Sequence, residues 1–483
     1  MHSLLLLAAL VTNPAPAPLH EATPALQARV LGELDRPQAI ADLFRLYERR
    51  DEKGDLGPVT SVLEAAARSP KARPDVRALA IEMRGELAVS QGQLPKASAL
   101  FTEVAPIRSW SVIGPFENEG RAGFDAEYPP EKDGFDAKAV YPGKEHDVTW
   151  RALPAGHAPY GFIDLSSAVY PRSDVAVYAA TVLHAARAES VLFHVGASGA
   201  VRVWLNGKLV HEDPAVHPSR FDQKMFAAGL QPGDNLLLIK IAHNGGRLGF
   251  SLRVADGKDA PLVSLAKSAR APQGKLPGFA AIRDAEGTKR RASAHKPKDV
   301  LDELRAAAAA KPQDPRAQED LAVLLQWRRP ADDAERLPLH ARERVLDRVP
   351  TEPAAARRLA RLEDRDANKR RAAIDVALAA HPTDAGLLDT LADYRLDRGE
   401  AWEALELARK ARAAAPSWVE PMFTEARALD AVGLSARAAL VRIESAKARP
   451  DLARAHRAAA SAYRRLGRAD DAAAELKQAL ALR

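Results

Sequence analysis

Apolar and small residues recur with one fixed period in the C-terminal part of the chain. Three sets of positions keep a step of 34 residues: Pro382, Pro416 and Pro450; Gly399, Gly433 and Gly467; Ala404, Ala438 and Ala472. Within each period the apolar positions follow helical spacing, the glycine permits a turn, and the proline ends the second helix. The pattern predicts tandem helix pairs, with the clearest units at 385–418, 419–452 and 453–483.

This period and its residues resemble the tetratricopeptide repeat, a pair of antiparallel helices that stacks into a solenoid. A degenerate unit is expected at 351–384 and further helical hairpins at about 297–350, so the C-terminal repeat domain is predicted to span 297–483. A similar unit at 78–105 carries Gly85, Gly92, Ala97 and Phe101 at the matching offsets, after amphipathic stretches at 37–51 and 59–69. An N-terminal repeat domain is therefore predicted over 30–106.

The middle of the chain changes from helical spacing to alternation of apolar and polar positions, with many β-branched residues. Five segments predict strands or strand pairs: "DVAVYAATVLHA", "ESVLFHVGA", "AVRVWLNGKLVHED", "DNLLLIKIAH" and "RLGFSLRVA". Short strands at this spacing are typical of a sandwich, which we place over 107–257. The predicted fold class is α + β and multidomain: α-solenoid segments flanking an antiparallel sandwich.

The clearest β element is the hairpin "VRVWLNGKLVHE". Asn206 and Gly207 both tolerate positive φ, as a two-residue hairpin turn requires. This turn predicts that Trp204 lies opposite Leu209, and Val203 opposite Val210.

The residues "VWLNGKLV", followed at a distance by "LQPGDNLLLIKI", resemble the jelly-roll, galactose-binding-like domains that accompany many glycoside hydrolases. The resemblance covers about 160–255 and implies the fold more than a function, because some such domains bind sugar and others only pack against neighbours.

The stretch "SWSVIGPFENEGRAGFDAEYPPEK", residues 109–132, predicts the first strand of the sandwich and a long polar loop, with Trp110 and Phe116 facing the core. Together with the sandwich and the repeats, it resembles the non-catalytic N-terminal part of large exported bacterial transglutaminase-like proteins. The catalytic Cys-His-Asp set of that family has no counterpart, because the chain contains no cysteine. No polar cap follows the last repeat, so we expect that the natural protein continues or that this end docks on another surface.

The ends and the linker have their own signals. Residues 1–24 open with an apolar run, Leu4 to Val11, followed by small residues and prolines, which resembles a secretory signal. This resemblance indicates an exported, periplasmic or extracellular protein, the alternative being a cytoplasmic protein with a disordered start. Residues 258–296 are predicted to be a linker. Acids interleave most basic residues despite the net charge of +6, so Lys289–Arg291 and Lys369–Arg371 are attributed to solvated faces, not to nucleic-acid binding. No later stretch has the length of a membrane span.

No catalytic, metal or cofactor motif is present in the sequence. The histidines of "HEDPAVH", His211 and His217, are six residues apart, and Pro214 would break the helix that a zinc-protease motif needs. The acids of the polar loop offer oxygens of the kind that calcium binds, although solvated loop acids are the simpler interpretation; they are Asp125, Glu127, Glu131, Asp133 and Asp136. The sequence therefore predicts a protein that is not an enzyme and has no cofactor.

Two surfaces are candidates for binding. The first helices of tetratricopeptide units line a groove, and the outward positions that this resemblance assigns are Asp389, Asp393, Asp397, Phe423, Arg427, Arg457 and Arg464. This groove runs from acidic to basic, and Arg457 with Arg464 offers a site for a carboxylate, the alternative being a solvated charged face. In the sandwich, Trp150 and Tyr160 flank a Gly-Pro-rich turn and are candidates for stacking on a sugar ring, although strand aromatics are more often core.

The favoured function is a protein–protein interaction scaffold that uses the tetratricopeptide grooves, with a protein or peptide partner. The alternatives are a carbohydrate-binding accessory module with the repeats as spacers, and the non-catalytic front half of a transglutaminase-like enzyme.

Overall fold

The computed structural model describes residues 23–50, 56–276, 298–328, 336–360 and 367–482. The predicted leader, apart from its last two residues, and the second half of the predicted linker lie outside these ranges. Lys289–Arg291 lie outside them as well.

Helices make up both ends of the described chain. The N-terminal helices are α1 Thr23–Gly32, α2 Gln38–Glu48, α3 Gly57–Arg68, α4 Pro74–Ser90 and α5 Leu94–Glu103. Two short helices accompany the sheets, α6 Pro129–Lys132 and α7 Val263–Lys267. The C-terminal helices are α8 Val300–Ala310, α9 Pro315–Arg328, α10 Arg336–Arg348, α11 Pro353–Ala360, α12 Ala367–Ala380, α13 Ala385–Asp397, α14 Ala401–Ala414, α15 Val419–Ala431, α16 Ser435–Ala448, α17 Ala453–Arg465 and α18 Ala469–Ala481.

The last six helices repeat with the predicted period. The first helices α13, α15 and α17 begin 34 residues apart, and so do the second helices α14, α16 and α18. Gly399, Gly433 and Gly467 join each pair with φ of 77°, 80° and 72°, a left-handed conformation that glycine adopts without steric cost. Ala404, Ala438 and Ala472 are buried, so the second helix packs closely on the first. The helix-pair repeats are confirmed.

Twelve strands lie between α5 and α7, and all their pairings are antiparallel. They are β1 Ser111–Glu117, β2 Val140–Pro142, β3 Asp147–Thr149, β4 Arg151–Ala152, β5 Phe162–Asp164, β6 Val175–Ala185, β7 Glu189–Ala197, β8 Ala200–Leu205, β9 Lys208–Asp213, β10 Lys224–Leu230, β11 Gly233–His243 and β12 Gly249–Asp256. The sheet orders are β4-β1-β6-β11-β8-β9 and β10-β7-β12-β5, with β2 and β3 as a separate ribbon.

The two larger sheets share one apolar core, to which β6, β11 and β8 contribute from one side and β7, β12 and β10 from the other. The region is therefore a pair of facing antiparallel sheets. Trp110 and Phe116 are both buried, but Trp110 belongs to this shared core whereas Phe116 packs on the opposite face of its sheet, against Tyr128 and Tyr178. The prediction that both residues face the shared core is therefore correct for Trp110 and wrong for Phe116. The strand has a register shift between Ile113 and Phe116, so simple alternation does not place residues 110 and 116 on the same face.

The hairpin of β8 and β9 has the predicted turn but not the whole predicted register. Asn206 and Gly207 have φ of 49° and 77°, and Trp204 pairs with Leu209. Val203 pairs with His211, so the prediction that Val203 lies opposite Val210 was wrong. A β-bulge between Val203 and Trp204 adds one residue to β9, which alternation alone does not reveal.

The predicted linker begins as part of the fold. Residues 258–276 pack on the sheets: Leu265 and Ala266 of α7 are buried in the shared core, and the Val182 and Arg270 backbones exchange hydrogen bonds of 2.9 and 3.0 Å. The prediction of a linker from residue 258 was therefore wrong for this stretch.

Helices from the two ends of the sequence form one core. Leu43 and Leu63 from the N-terminal helices belong to the same apolar cluster as Leu304 and Leu324 from α8 and α9. Ion pairs cross the same boundary, among them Arg358 with Glu48 at 2.7 Å and Arg316 with Asp42 at 3.1 Å. The two-sheet region is thus an insertion into a continuous helical array.

Candidate functional site

A deep concavity lies where the helical array meets the sheets. It is a cavity of about 640 Å³, here called the seam cavity, lined by α4 and α5, by strands β5, β7 and β12, by residues 216–222 and by Trp327 of α9. Its volume falls within the range of small-molecule sites.

Glycines shape the seam cavity's walls. A Cβ atom at Gly85 would lie 2.7 Å from the ring of Phe101, and one at Gly196 would lie 1.8 Å from the carbonyl oxygen of Arg220. The Phe101 ring therefore lies flat on α4, and the segment after β9 passes directly over β7. Both approaches exclude any larger side chain.

A buried ionic cluster forms the seam cavity's floor. Asp222 accepts two hydrogen bonds from the Nε of Arg253, at 2.7 and 2.9 Å, and its carboxylate lies 3.5 Å from Nδ1 of His194. Asp259 lies 2.7 Å from Nε2 of the same histidine. Burial alone would raise the pKa of Asp259, but the nearby His194 and Arg253 hold that pKa below its usual value. The cluster ties the loop before β10 to β7 and β12.

Two glutamates of α4 face the same space, one helical turn apart. Burial raises the pKa of Glu82 well above its usual value; the nearby carboxylates of Glu86 and Asp222 add to this, and Arg253 opposes it. Burial also raises the pKa of Glu86, against the hydrogen bond of 2.9 Å that its carboxylate accepts from the Tyr47 hydroxyl. Shifted carboxyl pKa values inside a cavity are a mark of functional sites.

Aromatic rings complete the wall. Tyr160 is half-buried and packs on Phe101 with ring centroids 5.4 Å apart. The guanidinium of Arg247 lies 4.0 Å from the ring centroid of Phe162. Of the two sugar-stacking candidates, Tyr160 thus lines the seam cavity.

Trp150 lies elsewhere and is buried. Only 7% of it is exposed, and its ring packs on Phe135 with centroids 4.8 Å apart, on the outer face of the six-stranded sheet. The expectation that Trp150 is exposed was wrong, because the loop after β1 and the ribbon of β2 and β3 cover that face. Trp150 and Tyr160 do not form a common platform.

The groove candidates lie on α13, α15 and α17, the first helices of three successive repeats. Asp389 is buried, which corrects its assignment as an outward residue. Asp393 and Phe423 are half-buried, and the side chains exposed to solvent are Asp397, Arg427, Arg457 and Arg464. Packing of α13 against α15 brings successive first helices side by side.

Ion pairs in this groove join equivalent positions of neighbouring repeats. Arg427 lies 2.8 Å from Asp393, and Arg454 pairs with Glu420, in each case 34 residues apart. Burial raises the pKa of Asp393, and Arg427 opposes that rise. Within the described ranges, Arg457 and Arg464 have no ion pair. The basic end of the groove thus keeps two exposed, unneutralised guanidinium groups.

Three of the five loop acids considered for calcium, Asp125, Glu131 and Asp136, pair with basic side chains, whereas Glu127 and Asp133 are exposed. Glu131 lies 2.8 Å from the Nζ of Lys240 and accepts a hydrogen bond from the Tyr178 hydroxyl. Asp125 lies 2.8 Å from Arg202. Lys240 is fully buried and also donates to the backbone carbonyls of Phe124 and Ala126, at 3.0 and 2.6 Å. The Lys240 ammonium therefore binds Glu131 and two backbone carbonyls of this loop.

The histidines of "HEDPAVH" lie on a strand and a loop. His211 stacks on Phe226 with centroids 4.8 Å apart, and Nε2 of His217 lies 3.1 Å from Asp213. Over the described ranges, no group of three or more acids and histidines is arranged to hold a metal ion. None of the helices described has both the length and the apolarity to cross a bilayer.

Sequence reasoning missed the seam cavity. Its residues come from α4, from strand ends and from α9, which are far apart in the chain and share no local motif. The sequence signal for it was weak: Glu82 and Glu86 lie one helical turn apart on α4, which also carries Asp75, Arg77 and Arg84.

Comparison with known proteins gives limited similarity. No family model matches the chain, and no curated protein matches it. Among solved structures, the crystal structure of MamA aligns with a TM-score of 0.27 and 17% identity over 39% of this chain and 96% of MamA. The human IFIT1 dimer with PPP-AAAA aligns with a TM-score of 0.30 and 18% identity over 38% of this chain and 45% of IFIT1. The repeat assignment accordingly depends on the chain's own period and helix geometry.

Proposed function

We propose that this protein is a non-enzymatic interaction scaffold whose C-terminal repeats bind an acidic segment of a partner protein. The observation that carries the proposal is the charge distribution along α13, α15 and α17. On α13, Asp393 is half-buried and paired with Arg427, and Asp397 is exposed; on α17, Arg457 and Arg464 are exposed and have no ion pair in the described ranges.

The spacing of these two arginines favours a carboxylate ligand. Arg457 and Arg464 are seven residues apart, two helical turns, so they project from one face of α17. Guanidinium groups bind carboxylates through paired hydrogen bonds, and a partner with two acidic side chains at matching spacing would engage both. Phe423, half-buried on the neighbouring α15, offers an apolar contact beside them.

The size of the surface agrees with such a partner. Stable protein–protein sites bury about 800 Å² on each side, and three stacked helix pairs offer a surface of that order. The tetratricopeptide resemblance supports use of the face formed by the first helices, where α13 packs on α15 and Arg454 of α17 pairs with Glu420 of α15.

For the two-sheet region we infer a galactose-binding-like jelly roll with an accessory role. Support comes from an interlock of the two motifs that carry the resemblance: Asn206 donates to Asn235 at 2.9 Å and accepts from the Leu236 amide at 2.9 Å. These hydrogen bonds join two turns, so the Asn206 and Asn235 side chains have a structural role. We also propose that the chain is exported, on the strength of the apolar leader at residues 1–24.

Fluorescence anisotropy with a labelled octaglutamate peptide tests the scaffold function. We expect saturable binding to the full chain, weakened at least about tenfold in the Arg457→Glu/Arg464→Glu variant, because hydrogen bonds to charged groups contribute 1.5–3 kcal/mol each. The matched control is Arg437→Glu, which changes an exposed arginine on the second helix α16. Equal weakening by Arg437→Glu would mean that the peptide senses only net charge, and the proposal would fail.

A further inference from the structure

The seam cavity contains one charged group that has no partner. Among the described residues, the carboxylate of Glu82 takes part in no hydrogen bond or ion pair, although it lies in the cavity wall. Its neighbour Glu86 accepts the Tyr47 hydroxyl, and Asp222 is held by Arg253 and His194. Among the described residues, Glu82 is thus the carboxylate of the wall that has no hydrogen bond or ion pair of its own.

The basic groups of the wall are already engaged. Arg253 is held by Asp222, Arg247 lies 3.4 Å from Asp164, and Arg220 lies over the Trp327 ring at 5.5 Å. The histidines are engaged too: His194 by Asp259 at 2.7 Å, His217 by Asp213 at 3.1 Å, and His243 by the Ser198 carbonyl at 2.8 Å. Arg253 is the basic group whose charge opposes the raised pKa of Glu82, and its guanidinium hydrogen-bonds Asp222.

Glu82 is half-buried, and its surroundings disfavour the ionised carboxylate. Burial and the like charges of Glu86 and Asp222 both disfavour its ionised form and raise its pKa. A residue that weakens the empty protein in this way is typical of a site whose ligand supplies the missing charge.

The rest of the wall suits a flat or apolar body that carries a cation. Tyr160, Phe162, Phe221 and Trp327 all line the cavity. Aromatic faces attract cations and cover apolar groups, and the Glu82 carboxylate offers a cation a charge-assisted hydrogen bond. The volume of about 640 Å³ suits a ligand of up to side-chain or short-peptide size.

The geometry points to the seam cavity as a binding site for an organic cation, an ammonium or amidinium-type group on an aromatic or aliphatic body, with Glu82 as its counterion. The site is separate from the repeat groove: it is formed by α4, α5, the four-stranded sheet and α9. Its ligand would hold the helical array and the inserted sheets together, because residues of both line the cavity.

Isothermal titration calorimetry on the full chain, with three isosteric probes, tests this inference. Benzamidine carries the cation, benzamide is neutral, and benzoate is the anion. At neutral pH we expect benzamidine to bind at least about tenfold more tightly than benzamide, and benzoate not to bind, as follows from a charge-assisted hydrogen bond to Glu82.

Two variants assign any binding to the cavity. Glu82→Gln keeps the shape of the side chain and is expected to remove the preference for benzamidine over benzamide. Glu103→Gln, an exposed glutamate on the neighbouring α5, should bind like the wild type. The thermal melt of Glu82→Gln, expected to be no lower than that of the wild type, shows that any loss of binding is not a loss of folding.

Three outcomes would overturn the inference: equal binding of benzamidine and benzamide, unchanged benzamidine binding in Glu82→Gln, or no benzamidine binding at millimolar concentration. Binding of the neutral sugar methyl β-galactoside that is unaffected by Glu82→Gln would overturn it as well, because it would assign the cavity to an uncharged polyol.

Discussion

The buried ammonium of Lys240 allows a sharp test of how the loop after β1 is held. Lys240 lies on the central strand β11 and is fully buried. Its Nζ donates to the carbonyls of Phe124 and Ala126 and to the Glu131 carboxylate, all within 2.6–3.0 Å. Burial lowers the pKa of Lys240, and Glu131 opposes that effect. One ammonium thus fixes three points of the loop.

Replacement of Lys240 by Met conserves side-chain volume but leaves the Glu131 carboxylate and two carbonyls without that donor. Breaking a buried ion pair by removing one partner typically costs about 3–5 kcal/mol. The Tyr178 hydroxyl still donates to Glu131, which favours the lower end of this range.

Native-state hydrogen exchange reports the loss where it occurs. Amides of β6 and β11 that exchange through opening of the sheet should exchange roughly 10²- to 10⁴-fold faster in Lys240→Met, since each 1.4 kcal/mol is a factor of ten. The control Lys208→Met changes an exposed lysine of β9 and should stay within about 0.5 kcal/mol of the wild type. A change below about 1 kcal/mol in Lys240→Met, or a comparable destabilisation of the wild type by a calcium chelator, would refute this account of the loop.

Three further predictions concern other parts of the molecule. Glu82→Gln should be more stable than the wild type at neutral pH, because the pKa of Glu82 is raised in the folded state and the wild type therefore loses stability as pH rises from the usual glutamate pKa towards the folded-state pKa. Urea denaturation should give equal free energies of unfolding for the two proteins in acid. A difference in unfolding free energy that stays constant across pH would contradict this explanation. Asn206→Ala should lower the free energy of unfolding, measured by urea denaturation, by about 2 kcal/mol, because alanine is strained at positive φ and two hydrogen bonds are lost. Asn206→Gly loses the hydrogen bonds but not the backbone strain, so its loss of stability should be smaller. Equal losses in the two variants would contradict a contribution from strain. Arg45→Met removes the cation between α2 and α9, at 2.6 Å from Asp42 and 2.5 Å from Asp320, and should cost about 3–5 kcal/mol by the same assay; an unchanged midpoint would mean that the apolar core alone joins the two ends of the array.

Much of the fold followed from local patterns. The step of 34 residues located six helices because glycine, alanine and proline act through their own backbone and size, independently of distant residues. Strands β6, β7, β11 and β12 likewise followed from alternation. Strand β10 was missed because its sequence, "KMFAAGL", is rich in alanine and glycine, which do not favour strands.

The errors came from contacts between segments that are distant in sequence. The bulge at Val203 depends on how β9 fits its neighbour, and the burial of Trp150 depends on Phe135. The joining of the two ends depends on pairs such as Arg45 with Asp320, which are 275 residues apart. The seam cavity is the strongest case, because the unpaired state of Glu82 exists only once all its neighbours are in place.

The most direct test of the scaffold function is a hydrogen-exchange footprint of the full chain with and without an octaglutamate peptide. We expect slower exchange in α15 and α17, centred on the turns that carry Arg457 and Arg464, with exchange in α16 and α18 unchanged. Protection of the second helices instead, or no protection in the C-terminal repeats at saturating peptide, would contradict it.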